Sequence, residues 1–204
     1  MPSYDIKYDI KYDIKKALPA LYAPKPGGFH VVDVPEIAFL MVDGHGDPNV
    51  SPAYADAVAA LYTLSYTVRA IAKAELGRVH TVGPLEGLWS ADDPAVFAAR
   101  EKSAWDWTMM ISQPAWITPD VVEAAMRKKA VDGVRFAPYA EGRSVQVLHV
   151  GSYDDEGPVL AALHREYLPE HGFTFNGRHH EVYLSDPRRT APEKLRTILR
   201  QPVR

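Results

Sequence analysis

The sequence predicts an α+β domain. Two similar strand–helix–strand–strand modules make up the chain. Three observations predict this. Strand and helix patterns follow the same order in both halves of the chain, short segments of one half echo the other, and each half places an acidic residue among aromatics in the strands after its helix.

The chain opens on a short repeat, Tyr4-Asp5-Ile6-Lys7, which recurs at Tyr8 and at Tyr12. A period of four matches no solenoid, so the repeat reads as a duplication scar of which only the last copy need belong to the fold. Pro19, Pro24, Pro26, Gly27 and Gly28 then read as a linker. Residues 1–28 are therefore expected to be a partly disordered lead-in, followed by a domain over 29–204 with modules at about 29–115 and 134–204.

Val31 to Val42 is rich in β-branched and apolar residues and predicts a strand, broken or bulged at Pro35. Residues 44–49 are turn formers. Ser51-Pro52 has the form of an N-cap with proline at the first helical position. A helix is expected from about Ala53 to Glu75, with Val58, Leu61, Leu64, Val68 and Ile71 on one stripe and Tyr62 and Tyr66 on a neighbouring face. Arg78 to Val82, Leu85 to Ser90 and Ala104 to Ser112 are strand candidates, and Thr118-Pro119 opens a polar helix to about Ala130.

In the second half, Val145 to Val150 predicts a strand, Gly151 to Asp154 a turn, and the following residues a helix to about Leu168. Phe173 to Phe175 and His179 to Ser185 read as strands joined at Asn176-Gly177, and Leu195 to Gln201 as a closing strand. The echo between halves pairs Leu40-Met41-Val42-Asp43-Gly44 with Leu148-His149-Val150-Gly151. It also pairs Ala59-Ala60-Leu61-Tyr62 with Ala161-Ala162-Leu163-His164.

Composition excludes several functions. The chain has no cysteine, so disulfide scaffolds, thiol nucleophiles and zinc–thiolate sites are ruled out. The net charge of -3 weighs against a nucleic-acid binder, and the basic tail from Arg188 to Arg204 reads as a solvated edge. No apolar run approaches the ~20 residues that span a bilayer and no signal peptide is visible, so the expected location is the cytoplasm. His179 and His180 point to opposite faces of a strand and chelate poorly, and His149, His164 and His171 form no ligand motif. With no dinucleotide, phosphate-loop or nucleophile-elbow signature either, neither a metal nor a cofactor is expected.

Glu181 is the sharpest candidate for chemistry. Alternation along its strand puts Val182 and Leu184 toward a core and His179, Glu181 and Tyr183 on the opposite face. A carboxylate among aromatics can attract a cation or act as a general base. The ordinary alternative is an exposed strand carboxylate paired with Arg178 or Arg188. Trp105, Trp107 and Met109 share a strand face that would suit a flat ligand or equally a plain core. Glu86 carries the same double reading as Glu181. Tyr62, Tyr66 and Tyr153 complete the candidate ligand-binding set.

The segment His179-His180-Glu181-Val182-Tyr183-Leu184-Ser185-Asp186-Pro187-Arg188-Arg189, the run Pro192 to Val203, Leu85-Glu86-Gly87-Leu88-Trp89 and Trp105 to Ile111 resemble the GyrI-like family. So do Tyr54 to Tyr66 and His149 to Glu156. The resemblance implies that the duplicated modules are related by a pseudo-two-fold axis, that they form an antiparallel sheet with helices on one face and a ligand cleft on the other, and that aromatics and a glutamate in that cleft, matched here by Glu181, hold planar and often cationic compounds. In family regulators this domain is fused to a DNA-binding helix-turn-helix, for which no segment is seen before residue 29. The chain is most similar to a stand-alone branch, the cyclopropanoid cyclopropyl hydrolases, which open the cyclopropane of yatakemycin- and duocarmycin-like alkylating compounds. The resemblance implies that Glu181 deprotonates a water, that Trp105, Trp107, Tyr153 and Tyr183 stack on the ligand, and that a tyrosine hydroxyl stabilises the oxygen that gains charge. A non-catalytic drug-sequestering protein and a gyrase-inhibitor-like interaction protein are the competing readings. The implied partner is a planar aromatic small molecule, with no nucleic acid or membrane, bound by a monomer or homodimer.

Overall fold

Strand alternation in this chain produces two apolar faces, and the fold buries both. In the computed structural model, which describes residues 11–91 and 101–204, six antiparallel strands close into a barrel in the order β1-β3-β2-β5-β6-β4. These are β1 (His30–His45), β2 (Leu85–Ser90), β3 (Asp106–Gln113), β4 (Arg135–Val150), β5 (His179–Tyr183) and β6 (Arg196–Pro202). Two short helices, α1 (Ile14–Ala17) and α2 (Pro19–Tyr22), precede them. Helix α3 (Pro52–Leu76) follows β1, and α4 (Pro119–Lys129) follows β3. After β4 come α5 (Gly157–Ala162), a π-helical turn (Leu163–Tyr167) and α6 (Leu168–Glu170).

One core lies inside the barrel and gathers Phe39, Met41, Leu88, Met110, Val182 and Ile198. The other lies outside it, where Leu61, Leu64 and Val68 of α3 pack with Trp89, Trp107, Met109 and Ile111. Neighbouring residues of one strand thus enter different cores, as a period of two requires. Helix α3 begins as its sequence dictates. The Ser51 hydroxyl accepts from the Tyr54 amide, Pro52 occupies the first turn, and Gly77 closes the helix in the left-handed region.

Several expectations change. The cleft is not on the face opposite the helices: closing the sheet fills its concave side, and the cleft lies outside, among the helices themselves. Pro35 neither breaks nor bulges β1. Val34 pairs with Gly142 and Glu36 with Ala140, so the register is the same on both sides of the proline. Strand β4 starts ten residues earlier than expected, because Arg135 to Gln146 pairs along β1 despite Pro138 and Gly142. Arg78 to Val82 forms only a single bridge, His80 to Tyr12. Phe173 to Phe175 makes no hairpin with β5; Phe175 bridges Val203 instead, and β5 lies between β2 and β6.

The expected lead-in is also part of the fold from Tyr12 onward. The third repeat copy bonds to the chain at Val79 and Thr81, Asp13 caps α1, and Ile14, Leu21 and Tyr22 are buried in the inner core. The first repeat copy and most of the second lie outside the described residues. Among the described residues, no helix is long and apolar enough to cross a membrane.

Candidate functional site

Helix α3 and the segment from α5 through the π turn flank a cleft of about 1890 Å³. Tyr54, Val58, Tyr62 and Tyr66 of α3 form one wall. Leu160, Ala161 and His164 form the other. Between them lie Trp89 of β2 and His179, Glu181 and Tyr183 of β5, with Trp105 and Tyr153 close by. The strands bring these residues together because Gly87 pairs with Glu181, Trp89 with His179 and Leu85 with Tyr183.

A hydrogen-bonded relay crosses the cleft floor. Trp89 Nε1 donates to the Tyr183 hydroxyl over 3.1 Å, and that hydroxyl donates to Glu181 Oε2 over 2.7 Å. The Glu181 side chain keeps 15% of its surface exposed and so remains reachable from the cleft. His179 Nε2 lies 3.4 Å from Glu181 Oε1. Gly87 makes room for the relay. A Cβ there would stand 2.9 Å from Trp89 Nε1 and 3.2 Å from both the Tyr183 hydroxyl and Met109 Sδ.

The surrounding phenols are held protonated. Burial first, then the charge of Glu181, pushes Tyr183 and Tyr54 well above the usual phenol range. Burial, Glu156 and Glu181 push Tyr153 up to about 12. Each is therefore a hydrogen-bond donor at neutral pH. Their rings form a cage: Tyr153 meets Tyr183 edge-on at 5.7 Å, Trp89 meets Trp105 edge-on at 5.7 Å, and Tyr54 stacks with Trp89 at 6.4 Å. Tyr62 and Tyr66 stack at 6.5 Å near the mouth, where Tyr66 is 57% exposed.

Seven candidates thus meet at the cleft: Glu181, Tyr183, His179, Trp105, Tyr153, Tyr62 and Tyr66. Three do not. Trp107 is 2% exposed, packed under Tyr54 and against Gly44, and Met109 is fully buried behind Gly87; both belong to the outer core. Glu86 is fully buried on the opposite side of its strand, inside the barrel. There it accepts from the Tyr22 hydroxyl at 3.1 Å and meets His180 Nε2 at 3.1 Å. The correction follows from alternation: Glu86 shares its side with Leu88, whereas Gly87 and Trp89 share the side of Glu181. That signal, read along Leu85-Glu86-Gly87-Leu88-Trp89, identifies Trp89. Tyr54 and His164 carry no comparable signal, since helical period alone does not say what faces them.

The barrel interior is an ionic network without access to the cleft. His180 Nδ1 bonds Glu141 Oε2 at 3.0 Å, and Arg200 donates to Glu141, Gln146 and the Leu21 carbonyl. Burial opposes the imidazolium, but the charge of Glu141 and the hydrogen bonds His180 donates to Glu141 and Glu86 outweigh it and lift His180 to about 8. Burial likewise opposes ionised Glu141, yet His180 and Arg200 hold it down at about 2. Among the described residues, no group of three or more His, Asp or Glu side chains is arranged to hold a metal ion.

The family described as the GyrI-like small molecule binding domain matches residues 27–204. An uncharacterized conserved protein from Listeria innocua is 38% identical over 95% of this chain and 100% of its own, with a TM-score of 0.85. A Listeria innocua structure named as a hydrolase is 37% identical over the same shares, with a TM-score of 0.81. The C-terminal domain of EcmrR is 12% identical over 87% of this chain and 97% of its own, with a TM-score of 0.56, and shares the fold alone. No curated protein matches.

Proposed function

The chain belongs to the GyrI-like small-molecule-binding domain family, and on that premise we propose that its cleft binds planar hydrophobic compounds and hydrolyses the cyclopropane of yatakemycin- and duocarmycin-like DNA-alkylating agents. The observation that carries this reading is the relay Trp89–Tyr183–Glu181 at the floor of an aromatic cleft. A carboxylate needed only to attract cations gains little from a second side chain that fixes one of its oxygens. A general base gains much, because its remaining lone pairs are then aimed. The 37% identity to a protein named as a hydrolase supports the same reading.

In the proposed reaction Glu181 takes a proton from water as the oxygen bonds to the strained ring CH2. The C–C bond breaks, and its electron pair passes into the conjugated carbonyl, which becomes a phenolate and is then protonated. The net change is addition of one water. Tyr183 already donates its hydrogen bond to Glu181, so it orients the base. Tyr153 and Tyr54, kept protonated beside it, are the available donors to the phenolate oxygen. We further propose that the two halves arose by duplication, because β1-β3-β2 and β4-β6-β5 are contiguous and follow the same internal order.

The test is incubation with a cyclopropane-bearing alkylator, followed by mass analysis for a product heavier by one water. Glu181→Gln is expected to lower kcat by roughly 10²–10⁴-fold while keeping most affinity. Stoichiometric protection with no hydrated product would make the protein a sequestering module instead.

A further inference from the structure

A second polar group lies beside Glu181, and the relay does not use it. His164 comes from the π turn Leu163–Tyr167, and such turns are rare and often mark functional sites. His179 comes from β5, on the same face as Glu181. Both line the cleft. Among the described residues, His164 Nε2 and both ring nitrogens of His179 are buried without a hydrogen-bond partner; the 3.4 Å contact of His179 Nε2 with Glu181 lacks the alignment for one. Buried orphan nitrogens are costly and call for a partner.

The two rings do not supply it to each other. Their centroids are 6.2 Å apart at 85°, whereas a direct imidazole–imidazole hydrogen bond closes that distance to about 5 Å. The excess is what one bridging atom requires. The ring of Phe175 meets His164 edge-on at 5.0 Å and shields it on another side. His164 also stays uncharged at neutral pH: burial, then His179 and Arg165, pull it down to about 4. A neutral imidazole offers one donor and one acceptor, the complement a water molecule needs.

We propose that His164 and His179 form a binding site for a single water molecule next to Glu181, and that this water is the one Glu181 deprotonates. The site rests on the orphan nitrogens and their spacing; its catalytic role rests on the hydrolase reading. His164 and His179 would hold the water oxygen, one proton would pass to Glu181, and the oxygen would bond to the ring carbon. The aromatic cage then has to position only the organic ligand.

Two measurements test this on the full chain. A high-resolution crystal structure without ligand is expected to show an ordered water within about 3 Å of His164 Nε2 and a His179 ring nitrogen. Those nitrogens bonded directly to protein groups, with no water between them, would overturn the site. In turnover of a cyclopropane-bearing alkylator, His164→Phe is expected to lower kcat about tenfold or more with KM and melting temperature held, since it removes one hydrogen-bonding group. His164→Asn, which restores a donor and an acceptor, is expected to recover part of the rate and covers the case in which the Phe variant misfolds. A well-folded His164→Phe with wild-type kcat overturns the catalytic role. A wild-type protein that hydrolyses nothing defeats the hydrolase reading alone, and the crystallographic result still decides the water site.

Discussion

Gly87 faces Glu181 across β2 and β5, and its missing side chain leaves the space through which Trp89 reaches Tyr183. Adding one methyl group would drive a carbon into three neighbours at 2.9 to 3.2 Å. Gly87→Ala is therefore expected to cost about 1–3 kcal/mol of stability by overpacking, measured by urea denaturation, and to loosen the bond between Tyr183 and Glu181. Tyr183→Phe keeps the ring and the packing but removes the hydroxyl. A hydrogen bond to a charged group contributes about 1.5–3 kcal/mol, so kcat should fall roughly tenfold to a hundredfold with little change in KM. A raised KM with kcat unchanged would show that Tyr183 only binds. Glu181 and Tyr183 were legible from alternation in His179 to Leu184. Glu86 is neither ligand-facing nor exposed, because the strand period places it inward with Leu88.

Strand β5 shows how an element divides its residues between two environments. His179, Glu181 and Tyr183 face the cleft, while His180 and Val182 face the barrel interior. His180 ties β5 to β2 through Glu86 and to β4 through Glu141. This predicts a pH dependence. His180 titrates at about 8 in the fold against an ordinary value of 6.5. A raised value means that its contribution is fully present below pH 6.5 and is lost as pH rises through about 8. His80 and His164, both pulled down to about 4 mainly by burial, act in the other sense: their contribution is present above 6.5 and is lost as pH falls from there through about 4. Comparing wild type with His180→Gln by chemical denaturation isolates the first effect. The stability gap between them should narrow between pH 6.5 and 9; a constant gap would contradict a charged His180.

At the scale of the whole molecule, the segment before β1 packs into the inner core of the barrel. Leu21 and Ala20 present their carbonyls to Arg200 and Gln146, and the Tyr22 hydroxyl reaches Glu86. Removing residues 1–22 would leave a buried guanidinium and a buried carboxylate short of partners. Leaving a buried charged group without a hydrogen-bond partner costs more than the about 1–3 kcal/mol of a neutral one, and the inner core also loses Ile14, Leu21 and Tyr22, so the truncated chain is expected to melt far lower or not to fold cooperatively. Tyr22→Phe, which removes one hydroxyl, should cost only about 1–3 kcal/mol. Circular dichroism melts compare them, and a truncated chain with wild-type melting would show that the segment is dispensable.

The sequence by itself determined what local rules control. Ser51-Pro52 fixed the start of α3, Thr118-Pro119 fixed the start of α4, and the period of two put His179, Glu181 and Tyr183 on one face. Only the tertiary structure decided what those faces meet. Closing the sheet turned one side of every strand into a filled interior, which took Glu86 out of the cleft and moved the cleft outside among the helices. Barrel closure depends on which strand edges pair, and that is set by contacts between residues far apart in the chain, to which a local hydrophobic pattern is blind. The same reason hid His164 and the packed segment from Tyr12 to Tyr22: His179, beside the first, and Arg200, bonded to the second, come into reach only when the barrel has closed.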